Sequence, residues 1–297
     1  MRQPKVSVII LTYNREELLR ETVATVLSQS FGDFRLIIVD DGSADNTQTM
    51  LQKFNDSRID YHFVTHTGHI SRLRNYGLNQ SKGELIAFLD SDDLWDANHL
   101  QAQVNLLDNN PQAGFVFNDA MVFDAERVLL ESIYEGLENS QLNGNILTGV
   151  LAGNILLMPA STLMFRKTCL EKTGFLNERF KAGEYEFLTR LLYHYRGLYC
   201  DSPMVRIRRH GGNNSAKLEI DNYDEAIYCV EKYYSSGDVT DDLHRKLLLQ
   251  YHYKLGVACW KQNRHLQALK EFLLCYKIKP VLAGTLMRNL HSLMRGI

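Results

Sequence analysis

Leu85-Ile86-Ala87-Phe88-Leu89-Asp90-Ser91-Asp92-Asp93 is an apolar run that ends in three carboxylates within four positions. Five consecutive apolar residues read as a strand buried on both faces. Closing such a strand with Asp-x-Asp-Asp puts crowded negative charge at the C-terminal edge of a sheet, where open α/β folds bind ligands. Like charges this close repel one another, so the arrangement suggests a bound cation. Hard oxygen donors suit Mg²⁺ or Mn²⁺, and Mg²⁺ commonly arrives with substrate phosphates. Taken alone, the segment also fits a strand closed by an acidic, helix-capping turn.

The preceding chain favours the first reading. Lys5 to Leu11 is a β-rich run followed by Thr12-Tyr13-Asn14-Arg15, and then Leu18, Leu19, Val23, Val26 and Leu27 mark one apolar helix face. A second buried strand, Arg35 to Val39, runs into Asp40-Asp41-Gly42-Ser43, with a helix over 45–53 and a third strand near 59–64. Strand and helix alternating in this way imply parallel strands and right-handed crossovers, with loops gathered at one sheet edge. Three of those loops carry polar clusters.

The ordered set resembles the family 2 glycosyltransferases, inverting enzymes of the GT-A fold. It comprises Pro4 to Arg15, Ile37 to Ser43, Arg74-Asn75-Tyr76-Gly77 and Lys82 to Asp93, and the resemblance covers roughly residues 4 to 215. It implies an α/β fold with a mixed, mostly parallel sheet flanked by helices. It also implies a nucleotide-sugar donor held by Thr12, Tyr13, Asn14, Asp41, Arg74 and Asp90. Tyr13 would stack on a uracil ring, as aromatic faces do for bases, and Asp41 would accept from the base N3–H. Arg72 and Arg74 both offer a fork suited to phosphate, and Arg74 is the favoured one. Asp92 would hold Mn²⁺ or Mg²⁺, with Asp90 acting through water or on the ribose.

The family places its general base in an acidic pair opening a helix. Here the stretch is Lys181-Ala182-Gly183-Glu184-Tyr185-Glu186-Phe187, which departs from the pattern because Gly183 stands where the first acid is expected. Glu184 is the expected base, its pKa class matching that of Asp, and Glu186 is the alternative on a different helix face. The basic loop Arg206 to Ser215 resembles a lid that closes over the diphosphate, with Arg208 supplying charge and His210 as a metal ligand. Trp95 is a candidate stacking surface for an acceptor sugar, or else a core residue. His66 and His69 have no metal-like partners in the sequence and read as loop residues. A nucleotidyltransferase is one alternative, but it would need a Gly-rich phosphate loop after the first strand. A nucleotide-binding module that has lost its base is the other.

The chain has 297 residues and a net charge of −2, which gives no sign of a nucleic-acid partner. Five scattered cysteines without Cys-x-x-Cys spacing read as reduced thiols in a cytoplasmic protein. Arg2, Gln3 and Pro4 lead straight into the first strand, so no signal peptide is expected. The expected domains are a glycosyltransferase domain at 1–217 and a helical extension at 218–297. Leu255, Gly256, Cys259, Ala268, Phe272, Cys275 and Pro280 follow the offsets of one tetratricopeptide-like hairpin over 251–280. Residues 241–297 hold ten Lys/Arg against three acids, and 281–297 read as an amphipathic helix suited to a membrane surface or a protein partner. A saccharide or lipid-linked acceptor would fit a peripheral place on the inner membrane face.

Overall fold

The computed structural model describes residues 3–212 and 218–279. Its strands are β1 (Val6–Thr12), β2 (Phe34–Asp40), β3 (Ile59–Phe63), β4 (Leu85–Asp90), β5 (Leu94–Trp95), β6 (Ala113–Phe123), β7 (Val128–Leu130), β8 (Leu163–Arg166) and β9 (Arg196–Arg208). The helices are α1 (Glu16–Leu27), α2 (Thr47–Gln52), α3 (Ile70–Gln80), α4 (His99–Asn109), α5 (Asn139–Leu142), α6 (Leu147–Leu151), α7 (Leu170–Thr173), α8 (Glu184–His194), α9 (Glu219–Ser235), α10 (Asp241–Lys261) and α11 (His265–Ile278). The chain divides into two compact units, Met1–Asn213 and Asn214–Ile297.

The first unit is built on one sheet of order β3-β2-β1-β4-β8-β6-β9-β5, with β7 paired to β6. The pairings β1–β2, β2–β3, β1–β4 and β6–β9 are parallel, whereas β8 runs antiparallel between β4 and β6. Strands β1–β4, β6 and β9 therefore share one direction. From β1 the chain winds outward through β2 and β3, then returns to lay β4 on the other side of β1. That reversal opens a crevice at the C-terminal ends of β1, β2 and β4, the usual ligand position in open α/β sheets.

Alternation along the strands fills two layers. Val6, Val8, Ile10, Leu36, Ile38, Leu85, Ala87 and Leu89 join Leu19, Val23 and Val26 of α1 and Leu100 and Val104 of α4 in one core. Each of the Val, Leu and Ile side chains contributes about 1.5–3 kcal/mol on burial. On the opposite face α3 comes so close that a Cβ on Gly77 would lie 2.6 Å from Ile9 Cγ2. Trp95 belongs to the first core, stacked on His99 with its indole N–H donated to the Ser161 carbonyl. Burial pushes the His99 imidazole down to about 3, so it stays neutral there.

The second unit consists of α9, α10 and α11. Ile220, Leu255, Ala258, Cys259, Ala268 and Phe272 form its core. A Cβ on Gly256 would lie 2.6 Å from the Phe272 ring, so the glycine permits close approach of α10 and α11. Helices α10 and α11 pack against each other, and α10, 21 residues long, packs on α9 as well; Pro280 of the expected repeat lies outside the described residues. The expected amphipathic segment 281–297 lies outside the described residues, as do Asn213 to Ser215 of the basic loop. Among the described residues no helix is long and apolar enough to cross a membrane.

The start of β4 is locked to β1 by Ser7, whose Oγ accepts from the amides of Lys82 and Gly83. A Cβ on Gly83 would meet Ser7 N at 2.5 Å and Val6 C at 2.8 Å, both backbone atoms that cannot rotate away. We predict that Gly83→Ala destabilises the protein by about 1–3 kcal/mol, measured by urea unfolding; an unchanged midpoint would refute this packing account.

Candidate active site

Four loops meet at the crevice. The first begins where β1 ends at Thr12, whose Oγ1 is buried and, among the described residues, has no hydrogen-bond partner. Tyr13 follows, 43% exposed, and then Asn14 in the left-handed region at φ +48°. That conformation suits Asn and lets its amide donate to Ser43 Oγ at 2.8 Å while its Oδ1 accepts from Ala44 N. Asp45 Oδ2 accepts from the first amide of α1, Glu16 N, so the second loop caps the helix of the first.

Asp41 is buried and faces the loop after β3. Its Oδ1 accepts from Thr67 N at 2.7 Å and Thr67 Oγ1 at 3.2 Å, and its Oδ2 from Gly68 N at 2.8 Å. His66 Nδ1 lies 2.9 Å from the same Oδ2, and the His66 ring stacks on Tyr13 with centroids 4.2 Å apart and planes 22° apart. His66, expected only as a loop residue, is therefore a residue of the candidate site. The signal in the sequence was weak, a single His two residues before a glycine.

The acidic loop after β4 is held from three sides. Asp92 Oδ2 meets Arg15 Nη1 at 2.9 Å and His210 Nε2 at 2.9 Å, and Arg15 Nη2 donates to the Gly212 carbonyl. Arg208 donates from Nε to the Asp92 carbonyl, from its amide to Asp93 Oδ1 and from Nη2 to Glu21. Ser161 donates to Asp93 Oδ2 at 2.6 Å and accepts from Asp90 N. Burial, with Asp90 and Asp92 nearby, pushes the Asp93 carboxyl well up from its usual range. Asp90, whose side chain is 52% exposed, is pushed up from its usual range by partial loss of surrounding water and by Glu184 and Asp92, while Arg74 and Arg15 pull it down.

Arg74 does not present an open fork to a phosphate. It is 4% exposed, with Nη2 3.2 Å from Asp90 Oδ1, Nη1 2.9 Å from Glu184 Oε2 and its guanidinium over the Phe88 ring. Burial acts to lower the Arg74 pKa, but the two carboxylates outweigh it and raise it. Glu184 opens α8 after Gly183, which is left-handed at φ +65°. A Cβ on Gly183 would lie 2.9 Å from Ser71 Cβ. That contact explains why no acid stands at the position where the resemblance expects one.

Two expected residues lie elsewhere. Glu186 is buried and bound to Arg190 at 2.7 Å, which corrects its placement as an alternative base. Trp95, 2% exposed within the core, offers no stacking face for a sugar. Among the described residues no three His, Cys, Asp or Glu side chains form a metal-binding group by themselves. Asp92 Oδ2 and His210 Nε2 are hydrogen-bonded to each other, and a divalent ion held by this pair would replace the hydrogen between them. A divalent ion there would need its other donors from water, Asp90 or a ligand phosphate, as Mg²⁺ commonly does.

Glycosyl transferase family 2 is the family whose model matches residues 7–174, more than half of the chain, and the chain belongs to that family. A Rickettsia bellii protein described as an uncharacterized glycosyltransferase is 31% identical over 242 residues, which are 78% of this chain and 33% of that protein. Escherichia coli WfgD, described as a UDP-Glc:alpha-D-GlcNAc-diphosphoundecaprenol beta-1,3-glucosyltransferase, is 37% identical over 105 residues, 35% of this chain and 42% of WfgD. The matches thus span less than half of either relative. Among solved structures, S. aureus TarS 1-349 in complex with UDP-GlcNAc superposes with a TM-score of 0.71 at 19% identity, over 98% of this chain and 87% of that one. The mannosyltransferase PcManGT from Pyrobaculum calidifontis, in complex with GDP-Man and Mn²⁺, gives a TM-score of 0.61 at 16% identity, over 98% and 81%. These likenesses show the fold, which is GT-A.

Asp41 orders its loop by accepting donors at both carboxylate oxygens, whereas an amide has only one accepting oxygen. In Asp41→Asn at least one amide of Thr67 or Gly68 loses its acceptor, and those amides should exchange with solvent at least about tenfold faster, equivalent to roughly 1.4 kcal/mol. Unchanged exchange by mass spectrometry or NMR would show that the loop is held by something else.

Proposed function

We propose that the protein transfers a sugar from a nucleotide diphosphate donor, a UDP-sugar, to a hydroxyl group with inversion, in cell-surface polysaccharide synthesis. The observation that carries this reading is the bridge Asp90–Arg74–Glu184. It sets a carboxylate from the helix α8 beside the acidic loop of β4, so that donor-side and acceptor-side acids share one crevice. The uridine assignment is supported by the UDP-GlcNAc bound to TarS and by the UDP-Glc of WfgD, and the cell-surface setting by WfgD and by TuaG of Bacillus subtilis, described as a putative teichuronic acid biosynthesis glycosyltransferase.

In this reading Thr12, Tyr13, Asn14 and Asp41 receive the nucleoside, and Asp90 faces the ribose. Asp92 and His210, with Asp90 near them, would hold Mn²⁺ or Mg²⁺, which supplies positive charge to the departing diphosphate. Arg15 and Arg208 keep the acidic loop in place around that charge. Glu184 takes the proton of the acceptor hydroxyl as its oxygen bonds to the anomeric carbon and the bond to the diphosphate oxygen breaks on the opposite face. Arg74, held by Asp90, fixes the direction of the Glu184 carboxylate. A single displacement of this kind inverts the anomeric centre and needs no protein nucleophile. A lipid-linked saccharide acceptor would place the protein at the cytoplasmic membrane face, and the basic residues of the second unit suit such a surface.

The test is transfer or slow donor hydrolysis across a panel of nucleotide sugars with Mn²⁺ or Mg²⁺. One donor should turn over. Asp92→Ala and chelation should each abolish turnover, and Glu184→Gln should lower it by about 10²- to 10⁴-fold without weakening UDP binding. UDP binding with no turnover of any donor, across a panel of lipid-linked and free saccharide acceptors, would favour a binding module that has lost its base.

A further inference from the structure

His66 makes both contacts that the nucleobase would make. Its ring lies parallel to Tyr13 at stacking distance. Its Nδ1 lies 2.9 Å from Asp41 Oδ2 and 2.9 Å from the Asp41 carbonyl oxygen. A peptide carbonyl only accepts, so Nδ1 carries the hydrogen and donates. A uracil stacked on Tyr13 would direct its N3–H at the same carboxylate.

At the Asp41 carboxylate the two rings compete for one position. A carboxylate offers about four lone-pair sites, and at Asp41 Thr67 N, Thr67 Oγ1 and Gly68 N already take three contacts. The remaining approach is the one His66 occupies. We infer that His66 is a built-in occupant of the nucleobase site, stacked on Tyr13 and bonded to Asp41 until a nucleotide displaces it. The inference rests on the reading that Tyr13 and Asp41 receive the base.

The imidazole is placed to leave. Its side chain is 49% exposed, and a base would take its place on Tyr13 and at the Asp41 carboxylate, so that only the bond to the Asp41 carbonyl is given up without replacement. The backbone beneath is fixed independently, because Gly42 packs so closely that a Cβ there would lie 3.0 Å from His66 N. Val64 N also bonds the Asp40 carbonyl. Displacement is therefore a rotation of one side chain over a fixed loop.

A self-occupied site lowers apparent affinity by the fraction of time it is open. If His66 covers the site about nine parts in ten, removing it tightens nucleotide binding about tenfold. UDP titration by calorimetry should give a dissociation constant for His66→Ala lower than wild type by roughly 3- to 10-fold, and for Tyr13→Ala one that is higher. In wild-type protein the carbon-bound ring protons of His66 should start upfield, under the Tyr13 ring current, and move to ordinary positions as UDP is added.

Equal or weaker UDP binding by His66→Ala, with Tyr13→Ala still impaired, overturns the inference and makes His66 a second plate or a bystander while the base site stands. A His66 resonance that stays upfield in UDP-saturated protein also overturns it. Tyr13→Ala binding UDP like wild type would remove the base site itself, and the inference with it.

Discussion

Three carboxylates within four residues at the end of one strand cannot stand together without counter-charge and hydrogen bonds, and much of the first unit is arranged to supply them. Asp90 is met by Arg74 from α3, Asp92 by Arg15 from the β1 loop and by His210, and Asp93 by Ser161 and the Arg208 backbone. These partners come from segments more than a hundred residues apart. Removing one partner of a buried charge is strongly destabilising, whereas the complete pair is close to neutral. The acidic loop is thereby a condition that β1, α3, β8 and β9 must satisfy together. Its excess negative character also makes the crevice receptive to a divalent ion or to a cationic part of a ligand.

The half of the fold from β1 to β4 was legible because its strands are continuous apolar runs and its loops are polar clusters in a fixed order. The half from β5 to β9 was not. Its strands are short, as at Leu94–Trp95, or broken in register, as between Asn118 and Ala120. Its pairing depends on contacts distant in sequence, and no local period reports those. Among site residues, the acids could be found by their spacing. His66 could not, since its partners Tyr13 and Asp41 lie 53 and 25 positions away.

Orientation was the second illegible quantity. Glu184 and Glu186 are equally acidic, and only the packing of α8 shows that one faces Arg74 while the other is bound to Arg190. Trp95 shares its ambiguity with any aromatic next to a motif, and the indole N–H bonded to Ser161 settles it as core. Gly183 was a gap in a pattern when read as sequence. Its left-handed backbone and the nearby Ser71 turn that gap into a steric requirement. In the second unit the small residues at 256 and 268 marked the contact between α10 and α11.

The insertion of β8 and β9 around β6 has a consequence for how the chain matures. Strands β3, β2, β1 and β4 are complete once residue 90 has been synthesised, yet β6 waits for β8 some fifty residues later and for β9 after that. Pairings with such large sequence separation form slowly, because loop closure must precede any gain from contact. During that interval an eleven-residue, mostly buried strand stands with unpaired edges. The nascent protein thus passes through a period of vulnerability to aggregation, along β6 and along the edge of β4 that β8 later covers.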